Sequence, residues 1–227
     1  MKKLLLGIAA VCLAGFTFAQ DAPLWMRHSV ISPDGTTIAF TYKGDIYTVP
    51  VAGGRAMQIT TNPAYDTAPV WSPDSKRIAF ASDRMGSLDV YIVAKDGGEP
   101  RRLTTHSGSE TPLAFTDAGH VLFSAGIMPY ADAVVFPSNG QFNQVYRVSV
   151  EGGRPTMISS MPMECISINK EGAMLYQDKK GYEDYWRKHH VSPIARDIWM
   201  YTPGKEPQYR QLTTFGGEDR EPVWAPD

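Results

Sequence analysis

The chain has 227 residues, of which 43% are apolar and 20% charged, with a formal net charge of −2. That balance is ordinary for a soluble globular protein and offers no basic field for nucleic acid. Gly 20 and Pro 17 are together abundant, which suits many short strands joined by tight turns.

The N-terminus reads as a targeting segment. Lys2 and Lys3 form a basic start, and Leu4 to Phe16 form an apolar stretch. That stretch is too short to cross a bilayer, which takes ~20 residues of helix. Thr17-Phe18-Ala19 suits signal cleavage, so residues 1–19 are expected to be a signal peptide and 20–227 the exported domain, periplasmic or secreted. Val11 before Cys12 breaks the small-residue rule of a lipoprotein box, so no membrane anchor is expected. Once the signal is removed, Cys165 is the one cysteine left, which excludes an intramolecular disulfide.

A strand–turn–strand unit then recurs. Ile31-Ser32-Pro33-Asp34-Gly35 leads into Ile38-Ala39-Phe40, and Trp71-Ser72-Pro73-Asp74-Ser75 leads into Ile78-Ala79-Phe80. Phe115-Thr116-Asp117-Ala118-Gly119 and Ile168-Asn169-Lys170-Glu171-Gly172 are altered copies, and Pro222-Val223-Trp224-Ala225-Pro226-Asp227 begins another. Ser opens a type I turn, Pro presets φ at the next position, and Asp or Gly suits the positions after it. Asp34 and Asp74 are therefore turn formers, as are Ser32 and Ser72.

Between copies a second pattern repeats. Asp45-Ile46-Tyr47, Asp89-Val90-Tyr91, Gln144-Val145-Tyr146 and Asp197-Ile198-Trp199 each open a strand. The first three lead to Gly53-Gly54, Gly97-Gly98 and Gly152-Gly153, pairs suited to hairpin turns that need φ > 0. Asp45, Asp89 and Asp197 read as strand-end hydrogen-bond partners, and Trp71 and Trp224 as core residues. Gly108-Ser109-Glu110 reads as a polar loop between units. A four-stranded sheet cannot bury both faces alone, and radial stacking of such sheets solves this. The predicted fold is all-β: a propeller of four-stranded antiparallel blades at about 27–67, 68–111, 112–164 and 165–214, with the start of the next at 220–227. Insertions at 125–142 and 181–196 lengthen the third and fourth units.

The Trp-Ser-Pro-Asp units with their Gly-Gly hairpins resemble the WD40-like PD40 repeats of TolB-type and peptidase-associated propellers. The fourth unit narrows this. Tyr182-Glu183-Asp184, Trp186-Arg187-Lys188-His189-His190, Arg196-Asp197-Ile198-Trp199 and Gly217-Glu218-Asp219-Arg220-Glu221 resemble the N-terminal propeller of bacterial tricorn protease homologues, peptidase family S41. The resemblance implies a six-bladed propeller of which this chain is a fragment. It also implies a parent serine protease whose PDZ and catalytic domains lie outside these residues. No catalytic residue of that family has a counterpart here. The implied role is to gate or bind peptides through the propeller channel, in partnership with the other domains. A stand-alone, TolB-like periplasmic propeller that binds proteins and catalyses nothing is the alternative.

The residues themselves give no catalytic constellation: the Gly-x-Ser-x-Gly elbow of a hydrolase is missing. No cofactor is implied. His189-His190 lack the spacing of a metal site. Arg187, Lys188, His189, His190 and Arg196 form a basic cluster between Trp186 and Trp199. Read functionally, it is an anion site at the channel or its mouth, suited to a peptide's C-terminal carboxylate because Arg binds carboxylates bidentately. Read structurally, it is a solvated loop whose Trp186 packs on a neighbouring blade. Unpaired edges leave association into a homo-oligomer open.

Overall fold

The computed structural model describes residues 25–126, 143–180 and 192–225. The signal segment 1–19, most of both insertions, and Arg187, Lys188, His189 and His190 lie outside the described residues.

Sixteen strands form four antiparallel four-stranded sheets in chain order among the described residues. Sheet 1 holds β1 (Arg27–Ile31), β2 (Thr37–Tyr42), β3 (Asp45–Pro50) and β4 (Met57–Gln58). Sheet 2 holds β5 (Asp66–Trp71), β6 (Arg77–Ser82), β7 (Asp89–Ala94) and β8 (Arg101–Arg102). Sheet 3 holds β9 (Glu110–Asp117), β10 (His120–Ala125), β11 (Gln144–Ser149) and β12 (Thr156–Ser159). Sheet 4 holds β13 (Met163–Ile168), β14 (Met174–Asp178), β15 (Ile198–Thr202) and β16 (Gln208–Gln211). Each sheet is a meander, the blade of a β-propeller.

The expected turns form as the side chains dictate. Ser32 O accepts from Gly35 N at 2.8 Å, and the Ser32 hydroxyl donates to Asp34 Oδ1 at 2.6 Å. The same Asp34 oxygen accepts from Thr36 N at 3.0 Å. Ser72 and Asp74 repeat the arrangement at 2.6 Å, with Ser75 taking the left-handed position that Gly35 fills in the first copy. These hydroxyls hold the Asp34 and Asp74 carboxyls below the usual range. The three Gly-Gly pairs all lie at positive φ.

One backbone device had no glycine to announce it. His28, Ala68 and Cys165 sit at φ near +50° at the register shifts of β1, β5 and β13. A bulge bends the inner strand there, and a left-handed non-glycine residue costs on the order of 1 kcal/mol. The first strand of sheet 3 carries Pro112 there instead, and its ladder shifts register twice, once between Pro112 and Ala114 and once next to the turn.

Side chains alternate across each blade because successive residues of a strand face opposite ways. In β6, Ile78 and Phe80 pack against Ala39, Ile46 and Ile59 of sheet 1. Ala79, between them, packs with Val121 and Phe123 of sheet 3. A third cluster joins Leu122 and Val145 of sheet 3 to Met174, Tyr176 and Tyr201 of sheet 4. Each large side chain so buried contributes roughly 1.5–3 kcal/mol.

Trp71 is a core residue, 8% exposed, and its indole donates to Val30 O of sheet 1 at 3.2 Å. Trp224 is only half-buried, because residues 221–225 form no strand of their own. Its indole nevertheless donates to Ser167 O of sheet 4 at 3.1 Å, and Glu221 adopts φ +54°. This segment therefore docks on sheet 4 as β5 docks on sheet 1.

Candidate functional site

Two concavities come from the stacking. The first is axial. The turn ends of β1, β5, β9 and β13 converge on an opening of about 810 Å³, to which Ile31, Trp71, Phe115 and Ile168 contribute. Strands of four different sheets meet there because each blade points its first strand inward. Its walls are mainly apolar, so it suits an extended chain more than a small polar metabolite.

The second lies between sheets 2 and 3, at the outer ends of their strands. It has a volume of about 970 Å³ and is lined among others by Arg102, His106, Glu110, Phe123, Tyr146 and Met157. Glu110 is the residue that sequence reading misplaced. It does not sit in a polar loop but opens β9, fully buried, with its N–H bonded to Leu88 O at 2.7 Å. Glycine and serine before it suggested a loop, but packing of sheet 3 on sheet 2 covers the position. A signal was available: Asp66, Glu110 and Asp219 stand at the same distance before Trp71, Phe115 and Trp224.

Acids gather at these junctions. Between sheets 1 and 2, the Asp45 carboxylate accepts from Gln58 Nε2 at 2.9 Å, and burial raises its pKa. Asp66, also fully buried, accepts two hydrogen bonds from Arg84 Nη2, at 3.0 and 2.9 Å. Between sheets 2 and 3, Asp89 pairs with Arg102 at 2.8 Å. Glu110 has His106 Nδ1 at 3.6 Å, beyond hydrogen-bond reach. Burial, helped by the charge of Asp89, pushes the Glu110 carboxyl up to about 7. In sheet 4, Asp197 pairs with Lys180 and accepts from Gln211 Nε2 at 3.0 Å. Asp45 and Asp197 thus do accept hydrogen bonds, whereas Asp89 is held by its ion pair with Arg102.

Of the expected basic cluster, Arg196 is the member within the described residues. Its side chain is 12% exposed and meets Glu164 at 3.2 Å and Glu218 at 3.5 Å. Trp199, expected to flank the cluster, lies in β15 against the sheet 3–sheet 4 core. Arg187, Lys188, His189 and His190 fall outside the described residues.

Comparison with known proteins agrees with the architecture. The family described as the tricorn protease N-terminal beta propeller domain matches residues 23–227. Tricorn protease homolog 1 of Streptomyces coelicolor is 25% identical over 207 residues, 91% of this chain and 18% of that protein. The chain therefore spans under a fifth of that relative. Among solved structures, the tricorn protease superposes with a TM-score of 0.66 at 18% identity, over 87% of this chain and 19% of that one. A TolB structure from Agrobacterium tumefaciens gives 0.58 at 22% identity, over 84% of this chain and 68% of that one. At such identities the structural likenesses speak for the fold, and the match over 23–227 speaks for the family. The chain belongs to the tricorn protease N-terminal β-propeller family.

Proposed function

We propose that this chain is the propeller portion of an exported tricorn-type serine protease, and that it admits or holds peptides while the chemistry is done by other domains of the parent. The observation that carries the reading is the family match over 23–227, joined to an axial opening built by all four first strands. The Lys2-to-Ala19 pattern supports export. Arg187 and Lys188 are the residues proposed to hold a peptide's C-terminal carboxylate. Arg196 is committed to Glu164 and Glu218 and is left out of that role.

The test uses the parent enzyme. Replacing Arg187 and Lys188 by Ala raises KM for peptides with a free C-terminus, at roughly 1.5–3 kcal/mol per lost charged hydrogen bond. C-terminally amidated peptides are indifferent to the change. Equal effects on both peptide classes remove the carboxylate role. The chain alone, incubated with a peptide library, hydrolyses nothing. Cleavage abolished by a serine-directed inhibitor overturns the division of labour.

A further inference from the structure

Sheets 1 and 4 treat the same three ladder positions differently. In sheet 4, Glu164 of β13 stands opposite Gln177 of β14, and Lys179 follows two residues later. The three satisfy one another. The Glu164 carboxylate accepts from Gln177 Nε2 at 3.1 Å and pairs with Lys179 at 3.2 Å. Arg196 meets the same carboxylate at 3.2 Å, so one acid lies between two cations.

In sheet 1 the equivalent residues are Arg27, Thr41 and Lys43. Arg27 stands opposite Thr41, with the bulge at His28 beside it as the bulge at Cys165 is beside Glu164. A cation thus stands where sheet 4 has its acid. Neither Arg27 nor Lys43 has an ion pair among the described residues; each lies by an aromatic ring instead, that of Trp25 at 5.5 Å and that of Tyr42 at 5.3 Å. Thr41, in the place of Gln177, is buried, and its hydroxyl has no hydrogen-bond partner among the described residues. The acids nearby in sequence, Asp45, Asp66 and Asp83, are taken up by Gln58, Arg84 and the Tyr65 N–H.

Arg27, Thr41 and Lys43 line one cavity of about 270 Å³, together with Trp25, Gly44 and Tyr65. Trp25 is 74% exposed and Tyr65 41%, so aromatic surface and uncompensated positive charge meet at one place. Two like charges beside an apolar wall repel, and an anion relieves both.

We propose that this cavity binds an aromatic carboxylate, its ring against Trp25 and Tyr65 and its carboxylate shared by Arg27 and Lys43, as that of Glu164 is shared by Lys179 and Arg196. A singly charged acid with an apolar body suits the wall better than a phosphate, whose greater charge costs more to take from water. The volume lies just under the ~300 Å³ at which drug-sized pockets begin, which fits one aromatic group and its acid but no longer peptide. Two sources carry that group: a free aryl acid, and a polypeptide ending in Phe, Tyr or Trp. The site stands at the end of β1 away from Ile31 and the axial opening, so it is independent of the axial reading.

The test needs no other domain. The full chain is titrated calorimetrically with indole-3-propionate and with N-acetyl-tryptophan, each paired with its amide, which keeps the ring without the charge. Saturable binding of at least one acid is expected, with its amide at least about tenfold weaker. Acid binding also weakens as salt is raised, because the two cations are exposed. Tighter binding of N-acetyl-tryptophan supports the polypeptide terminus as the source, and tighter binding of indole-3-propionate supports the free acid. Arg27→Gln and Lys43→Gln each weaken acid binding about tenfold and leave amide binding unchanged. If a variant does not fold, the acid–amide pairs and the salt dependence in the unaltered chain decide by themselves. Absence of saturable binding by both acids, equal binding of acid and amide, or undiminished acid binding by folded Arg27→Gln and Lys43→Gln overturns the proposal.

Discussion

The junction between sheets 1 and 2 and the junction between sheets 2 and 3 meet one difficulty in two ways. Each brings together two acids at the outer ends of neighbouring strands, where water is excluded. An isolated buried carboxylate is too costly to persist, so it must find a cation or give up its charge. The first junction uses a cation, Arg84, fixed to Asp66 by two hydrogen bonds and stacked on Tyr91. The second gives Asp89 a cation in Arg102 and leaves Glu110 to a proton. The difference teaches that a propeller joint sealed by a guanidinium is indifferent to pH in the neutral range, whereas one sealed by a proton is not. Sheet 4 shows a third outcome. There Met163 stands where Asp66 stands, and Lys180, in the place of Arg84, turns to Asp197.

Breaking the first joint has the largest expected effect. Arg84→Met strands the Asp66 carboxylate, and loss of one partner of a buried pair costs about 3–5 kcal/mol. The shift in the chemical-denaturation midpoint measures it. Adding Asp66→Asn to that variant recovers part of the loss, because the stranded charge is gone. A loss well under about 1 kcal/mol in the single variant shows that the pair does not hold the joint.

The second joint is probed by pH. The folded chain holds a proton on Glu110 that the unfolded chain releases near the ordinary value of 4.5. Its contribution to stability is complete below that value and is lost as pH climbs through about 7. The expected decline over this window is roughly 2–3 kcal/mol, allowing for the coupling to Asp89. Glu110→Gln flattens the profile there. Asp34 and Asp74, held below the usual range by the hydroxyls of Ser32 and Ser72, act with the opposite sign and at lower pH. An unchanged profile in Glu110→Gln assigns the decline to another group.

The smallest effect sharpens the comparison by control. Arg101 and Glu151 also bridge sheets 2 and 3, at 2.8 Å, but their side chains are 47% and 74% exposed. An exposed pair is worth under about 1 kcal/mol and is screened by salt. Arg101→Ala therefore lowers stability by less than that, through the bridge and the bond to Val150 O, and the bridge's share fades in high salt. A loss as large as that of Arg84→Met means that burial is not what separates the two pairs.

How much was legible follows from how local each cause is. Ser-Pro-Asp-Gly is a turn whatever surrounds it, since Ser32 and Asp34 satisfy each other and the next N–H groups within a few residues. The Gly-Gly pairs likewise carry their own φ. The repeats foretold four-stranded blades stacked on one another; the structure then places Ile78 and Phe80 against sheet 1 and Ala79 with sheet 3. The bulges at His28, Ala68 and Cys165 were not legible, because none is a glycine and the strain is imposed by packing. The half-burial of Trp224 was not legible either, since the same residue type at the same place in the turn, Trp71, is core.

The sequence by itself determined the all-β repeat, its turns and its hairpins, because these depend on period-two patterning and on side chains bonding to backbone a few residues away. Only the tertiary structure decided which acids are buried and what neutralises each. Asp66 finds Arg84 from its own sheet, while Glu110 faces Asp89 from the next. Charge compensation depends on distances set across a blade junction, and a carboxylate's neighbours in space are absent from its neighbours in sequence.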